Sequence, residues 1–266
     1  MVASVPVGTR TSYSPGTFSW TDLTTPDQGT AKQFYEALFG WQADDQPIGE
    51  GMVYSLMKVD GMDVAAISPQ PQQQRDAGAP PVWNSYVTVE SADAALALAL
   101  ELGGQVHADA FDVFDAGRMG VVQDPQGAFF LVWEPKAHIG ASLVNAPGAL
   151  SWNELHTPDL DAGDDFYSQL FGWSTEQLPG DVPYRVIKNS VGQSNGGMTS
   201  MMPPGTPPHW LVYFGAEDAD ASVDRVGELG GSTLMEPMDL GPGLRIAVAQ
   251  DPQGAVFALY SGRFDD

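Results

Sequence analysis

Phe34-Tyr35-Glu36-Ala37-Leu38-Phe39-Gly40-Trp41 returns 132 positions later as Phe166-Tyr167-Ser168-Gln169-Leu170-Phe171-Gly172-Trp173. Upstream, Ser19-Trp20-Thr21-Asp22-Leu23-Thr24-Thr25-Pro26-Asp27 returns at the same offset as Ser151-Trp152-Asn153-Glu154-Leu155-His156-Thr157-Pro158-Asp159. A repeat of this length organises the whole chain and is read before any motif. Further on the offset is 127. Pro80-Pro81-Val82-Trp83 answers Pro207-Pro208-His209-Trp210, Glu101-Leu102-Gly103-Gly104 answers Glu228-Leu229-Gly230-Gly231, and Asp124-Pro125-Gln126-Gly127-Ala128 answers Asp251-Pro252-Gln253-Gly254-Ala255. The second copy has lost five residues, which loops absorb at little entropic cost. The Gln- and Pro-rich stretch 69–81 is the expected place.

Each copy reads the same way. An alternating strand (17–24; 149–156) leads into Asp27 or Asp159, placed to cap a helix. Phe34, Tyr35, Leu38 and Phe39 give that helix one apolar face, and Gly40 ends it. Two or three strands follow, at about 51–68 and 183–202. Next come a strand (82–90; 209–216), an Ala-rich helix (91–102; 218–229) and three short strands, the last two joined by an Asp-Pro-Gln-Gly turn. Each copy is thus a doublet of one βαβββ unit, and the chain is α+β. Residues 16–135 and 148–262 form the two domains. Residues 136–147 form the linker, 1–15 a loose N-terminal extension and 263–266 a tail.

Composition agrees with two domains, since 266 residues exceed the usual size of one. Lys plus Arg is 11 against 34 Asp plus Glu, a net charge of −23. That excludes binding to nucleic acid, which needs a basic face, and argues against docking on an anionic membrane. There is no cysteine, so disulfides, thiolate metal sites and a Cys nucleophile are excluded. No apolar run approaches the ~18 residues of a membrane span. The first residues lack the basic and apolar segments of a secretory signal. The expectation is a cytoplasmic bacterial protein, with a monomer plausible and a dimer possible.

The strand before Pro-Asp, the Phe-Tyr…Leu-Phe-Gly-Trp helix and the Asp-Pro-Gln-Gly turn resemble the vicinal oxygen chelate superfamily. That superfamily holds glyoxalases, bleomycin resistance proteins and extradiol dioxygenases. Phe114-Asp115-Ala116-Gly117-Arg118-Met119, His138-Ile139-Gly140-Ala141 and Trp152-Asn153-Glu154-Leu155 are similar to a tandem actinobacterial group. Its members are often labelled hydroxylases and include a mycobacterial culture-filtrate antigen. The resemblance implies paired βαβββ units, each pair curling a sheet around a cup. In metal-dependent members it implies three ligands on three strands. Carried over, those positions are Trp20, Asn84 and Leu131 in the first domain and Trp152, Leu211 and Ala258 in the second. A catalytic divalent metal needs about three imidazole or carboxylate donors converging on one point. No metal or other cofactor is therefore expected.

The remaining polar residues set the candidate site. Trp152, Glu154 and His156 alternate along one strand and share a face. Trp20, Asp22 and Thr24 share the matching face in the first domain, with Asp22 a candidate ligand-binding residue, and His209 begins a facing strand in the second. Glu154, His156 and His209 are the candidate acid–base residues, with imidazole suited to neutral pH. They also hold the donor types of a metal triad, at a spacing the resemblance does not imply, and the alternative is a structural hydrogen-bonded pair with a rim histidine. Trp20 and Trp152 either stack on a flat ligand or plug the cups. Trp83, Trp210, Tyr86 and Tyr213 read as core. Arg118 and Arg245 align with each other and either pair with carboxylates or hold an anionic ligand group. Glu134 reads as a surface or linker residue, and His107 and His138 as ordinary loop histidines. Three functions follow as alternatives. The first is metal-independent binding or sequestration of a hydrophobic or aromatic metabolite or toxin. The second is a glyoxalase-type lyase, isomerase or hydroxylase. The third is an interaction protein with vestigial cups.

Overall fold

A computed structural model describes residues 8–49, 51–180 and 182–264. In chain order the elements are β1 (Phe18–Thr25), α1 (Gln28–Phe39), β2 (Gln42–Gly49), β3 (Met52–Val59), β4 (Met62–Pro69), α2 (Gln72–Asp76), β5 (Val82–Thr88), α3 (Ala92–Glu101), β6 (Gln105–Val113), β7 (Gly117–Gln123) and β8 (Phe129–Pro135). The second half continues with β9 (Leu150–His156), α4 (Leu160–Phe171), β10 (Ser174–Gln177), β11 (Tyr184–Lys188), β12 (Ser194–Thr199), β13 (His209–Gly215), α5 (Ala219–Glu228), β14 (Ser232–Gly241), β15 (Leu244–Gln250) and β16 (Val256–Ser261). No described helix is long and apolar enough to cross a membrane.

Local chemistry sets the helix ends. Asp27 accepts the Thr30 N–H, Asp159 those of Asp161 and Ala162, Ser91 that of Ala94, and Asp218 that of Ala221. Each such cap is worth about 1 kcal/mol. Gly40 and Gly172 close α1 and α4 at φ 71° and 70°, a left-handed turn that costs glycine nothing.

Two eight-stranded sheets result, in the orders β2-β3-β4-β1-β5-β8-β7-β6 and β10-β11-β12-β9-β13-β16-β15-β14. Within a unit, first and last strands pair in parallel (β1 with β4, β5 with β8). Two consecutive units then join antiparallel through β1–β5 or β9–β13. Units therefore pair with their sequence neighbours, and each pair curves into one cup. The α2 turn has no counterpart between β12 and β13, where part of the second copy's deletion falls.

The repeated motifs weld the two domains. Phe34 and Tyr35 of α1 pack against Phe257 of the second sheet, while Phe166 and Tyr167 of α4 pack against Phe130 of the first. The Tyr35 hydroxyl donates to Asp251 (3.2 Å) and that of Tyr167 to Asp124 (3.0 Å). Gln253 bonds both N–H and C=O of Asp27, and Gln126 does the same for Asp159. Asp-Pro-Gln-Gly is thus a turn held by its own aspartate and also a latch on the helix cap of the other domain. Trp41 Nε1 donates to Gly148 O and Trp173 Nε1 to Gly16 O, completing the approximate twofold.

The N-terminal segment differs from the expected loose extension. Thr9 bridges Leu143, Arg10 N donates to Ser142 O, and the Tyr13 hydroxyl donates to Ala141 O at 2.6 Å. From Gly8 onward it is tied to the linker by these bonds; residues 1–7 of the expected extension and 265–266 of the expected tail lie outside the described residues.

Candidate functional site

Both cups are built on one pattern. In the first, Trp20 Nε1 donates to the Tyr54 hydroxyl (2.9 Å), which donates to Asp22 Oδ2 (3.1 Å). Tyr86 donates to the same oxygen (2.8 Å), and Asn84 Nδ2 to Oδ1 (2.8 Å). In the second, Trp152 Nε1 donates to Tyr184 (3.0 Å), which faces Glu154, and Tyr213 donates to Glu154 Oε1 (2.9 Å). The β registers explain the match. Tyr86 lies opposite Trp20 and Leu131, and Tyr213 lies opposite Trp152 and Ala258. Tyr86 and Tyr213 are buried in apolar clusters, as expected of them with Trp83 and Trp210, and their hydroxyls also reach the cup carboxylates. Trp83 and Trp210 do lie in the core, bonded to Tyr35 and Tyr167.

The cups differ in what fills them. Trp20 is 4% exposed, and the His138 ring stands edge-on over it at 4.7 Å. His138 is therefore no ordinary loop histidine. Its Nδ1 accepts the Gly140 N–H, its carbonyl takes the Trp133 indole N–H, and its Nε2 is 3.9 Å from Asp63. Burial lowers its pKa, against the pull of Asp63. Asp22, expected at a ligand, is buried and enclosed by its own partners. Burial raises its pKa despite the bonds from Asn84, Tyr86 and Tyr54.

Trp152 remains partly exposed, whereas Trp20 is buried. Leu211, Tyr213 and Ala258 form a small apolar cluster with Trp152, Ile246, Val248, Val256 and Tyr260. Met238, opposite Ile246, extends that wall and is exposed. Glu154 carries one methylene more than Asp22, and His156 stands where the first domain has Thr24. His156 Nε2 lies 2.8 Å from Glu154 Oε1. The contact is one of distance only, since neither ring nitrogen of His156 has a hydrogen-bond partner. His209, opposite His156 on β13, stacks on it at 4.8 Å and 15°. Its Nδ1 bonds Pro207 O, and burial lowers its pKa. Glu154, His156 and His209 are thus brought together.

Arg118 makes a two-point contact with Asp93 of α3, and Arg245 pairs with Asp220 of α5 and with Asp239. Their guanidinium groups are engaged by carboxylates, the pairing alternative. Glu134 is not a free surface residue: its carboxylate accepts the Ala92 N–H at the start of α3, and Ser261 serves Ala219 of α5 in the same way. His107 bonds Gln123 at an exposed position, as expected of it.

The residues missed in the sequence are Tyr54, Tyr184 and Gly197. A signal existed, since Tyr54-Ser55-Leu56-Met57-Lys58 answers Tyr184-Arg185-Val186-Ile187-Lys188. Its offset of 130 falls between the two that were read. Gly197 lies beside Glu154 in the sheet, and a Cβ there would meet the Tyr184 hydroxyl at 2.1 Å. Tyr184 reaches Glu154 because that Cβ is missing.

The residues present do not fit the metal that the fold implies. The rungs that cross each cup offer Trp20, Tyr86 and Leu131, or Trp152, Tyr213 and Ala258. Among the described residues no three His, Asp or Glu side chains are grouped to hold an ion. Parallel stacking of His156 on His209, with His209 Nδ1 turned to a carbonyl, keeps Glu154, His156 and His209 from converging on one point.

Known proteins match this architecture. The model of the Glyoxalase/Bleomycin resistance protein/Dioxygenase superfamily matches residues 17–132, and that of a glyoxalase-like domain matches 153–260. The Mycobacterium bovis protein named "Putative glyoxylase CFP32" is 44% identical over 94% of this chain and 96% of its own length. The "Anthracycline biosynthesis protein DnrV" of Streptomyces peucetius is 34% identical over 94% of each. Among solved structures, a Mn(II)-bound glyoxalase from Novosphingobium aromaticivorans superposes with a TM-score of 0.63 at 16% identity, covering 95% of this chain and 85% of its own. The 2,3-dioxygenase LapB of Pseudomonas sp. KL28 gives 0.61 at 14% identity, covering 95% of each chain. With each half matched by a family model and relatives aligned along nearly its whole length, the chain belongs to the glyoxalase/bleomycin resistance protein/dioxygenase superfamily, with two such domains in tandem.

Proposed function

We propose that this protein binds and sequesters a hydrophobic aromatic small molecule in the cup of its second domain, without a metal. One observation carries this reading. Two cups share a Trp–Tyr–carboxylate–Tyr floor, yet among the described residues the second keeps its indole partly exposed, beside the partly exposed Ile246, Val248 and Tyr260 and the exposed Met238. His138 packs on the indole of the first. A partly exposed indole next to Ile246 and Met238 suits stacking on a flat ring. The relatives named for anthracycline biosynthesis support an aromatic guest.

Titration with the fluorescent neutral probe N-phenyl-1-naphthylamine tests this. Trp152→Ala should weaken binding about tenfold or more, and Trp20→Ala should leave it unchanged; the reverse order would refute the assignment. A second reading rests on the 2.8 Å contact between His156 and Glu154, a pair able to pass a proton to or from a guest. As a lyase, isomerase or hydroxylase the protein would lose turnover in Glu154→Ala, with an imidazole-like pH profile in the parent. A relative named as a glyoxylase supports assaying for it.

A further inference from the structure

The donors and acceptors on the floor of the second cup are unevenly spent. Trp152 Nε1–H is given to Tyr184. The Tyr213 hydroxyl is given to Glu154, the Tyr184 hydroxyl faces the same carboxylate, and the Tyr260 hydroxyl is given to Arg263 O. Both ring nitrogens of His156 are buried without a hydrogen-bond partner, Nε2 lying 2.8 Å from Glu154 Oε1, and His209 Nδ1–H is given to Pro207 O. Those N–H and O–H groups are therefore turned to the protein or buried away from a guest. The acceptors are not. A carboxylate has about four acceptor sites, of which Tyr213 takes one and Tyr184 faces a second. In a neutral ring His209 Nε2 is a bare acceptor. Nor, among the described residues, does the cup contain a spare cation. Arg245 is held by Asp239, Asp220 and Pro237 O, and Arg185 by Asp161, Asp164 and Leu160 O.

A guest that presents an ether or carbonyl oxygen to this floor would set lone pair against lone pair. A guest carboxylate would add repulsion from Glu154. A guest hydroxyl or N–H would fill an open acceptor site of Glu154, and hydrogen bonds to ionised groups are the stronger kind. Resting on the proposal that this cup is the binding site, we infer that it selects aromatic compounds bearing a hydrogen-bond donor, a phenolic hydroxyl or an aromatic amine. It rejects the matching ethers and carboxylates.

Four compounds of one shape test the rule: 2-naphthol, 2-naphthylamine, 2-methoxynaphthalene and 2-naphthoate, titrated calorimetrically at neutral pH. The naphthol and the amine should bind at least about tenfold more tightly than the ether, the range expected for one hydrogen bond to a charged acceptor. The naphthoate should not saturate. Glu154→Gln replaces an acceptor-only group by one with N–H donors, so the gap between naphthol and ether should close to within about threefold. Near-UV circular dichroism checks that this variant is folded. If it is not, Tyr184→Phe serves instead, because it frees the Trp152 N–H and the ether should gain. Equal binding of ether or naphthoate by the parent, still dependent on Trp152, would overturn the donor rule and leave the cup assignment standing. A naphthol preference untouched in both folded variants would overturn the role of Glu154. Failure of all four compounds, with N-phenyl-1-naphthylamine indifferent to Trp152→Ala, would remove the binding reading and this inference with it.

Discussion

Raising the pH should unfold this protein abruptly, and tyrosine burial sets where. Tyr13, Tyr35, Tyr54, Tyr86, Tyr167, Tyr184 and Tyr213 all have phenols pushed upward, with burial the largest cause in each. They are seven of the eight tyrosines in the chain. A group whose folded pKa is raised contributes stability that is complete below its unfolded pKa, here about 10, and that is lost as pH rises above it. At one pH unit above 10, each such phenol favours the unfolded chain by about 1.4 kcal/mol. Seven together give about 10 kcal/mol, comparable with the whole stability of a typical domain at 5–15 kcal/mol. Unfolding is expected near pH 11, about one unit above the phenol's own range. Tyrosinate absorbance and near-UV circular dichroism, followed in one alkaline titration, read this out. Absorbance worth at most one phenol should appear before the transition, and the rest should arrive with the loss of dichroism. Stepwise ionisation of several phenols in a chain that keeps its tertiary signal would refute the packing described around Asp22, Glu154 and the interdomain latches.

Three other outcomes follow from named contacts. Tyr167→Phe leaves the Trp210 indole N–H unpaired in the core and takes a donor from Asp124, so chemical denaturation should show a loss of about 3 kcal/mol in one cooperative transition for both domains. Gly197→Ala puts a methyl group where the Tyr184 hydroxyl sits. A destabilisation of about 1–3 kcal/mol, as in other overpacked sites, is expected with weaker probe binding, and unchanged binding would separate Tyr184 from the site. Prolonged dialysis against a chelator should leave the thermal midpoint in place, because a metal bound only to the folded state would raise it. A fall on chelation, reversed by one added metal, would show that the donor sets were misjudged.

Much of the fold was legible because it is written twice. Asp27, Gly40 and Asp-Pro-Gln-Gly act through their own backbone, and that local chemistry is visible in a single sequence. The second role of Asp-Pro-Gln-Gly was not visible, because Gln253 acts on Asp27, more than two hundred residues away in the chain. The site was half legible. Strand alternation put Trp152, Glu154 and His156 on one face with His209 on a facing strand, and the β9–β13 register sets His209 opposite His156. Tyr184 escaped because the repeat is out of phase there, and Gly197 because an absent Cβ has meaning only beside the phenol that uses its space. His138 was set aside as a loop residue, since nothing in its sequence neighbourhood shows that the linker folds back on Trp20.

The two cups also show what the repeat holds fixed and what it leaves free. Tyr35 with Tyr167, Trp83 with Trp210 and Gln126 with Gln253 repeat with identical chemistry and face the other domain, while Trp20 with Trp152 and Tyr86 with Tyr213 repeat on the cup floors. A change in one of the former breaks a latch and is felt by both halves. Residues that differ between copies, Asp22 with Glu154, Thr24 with His156 and Ala66 with Gly197, face the cups. There a change costs only local packing, which the covering chain can repair, as His138 does over Trp20. A buried carboxylate ringed by its own donors is stable whether or not a guest arrives, so the first cup can close without disturbing the second. This separation of a rigid shared interface from two independent concave faces would let one domain carry the proposed binding site while its twin serves as scaffold.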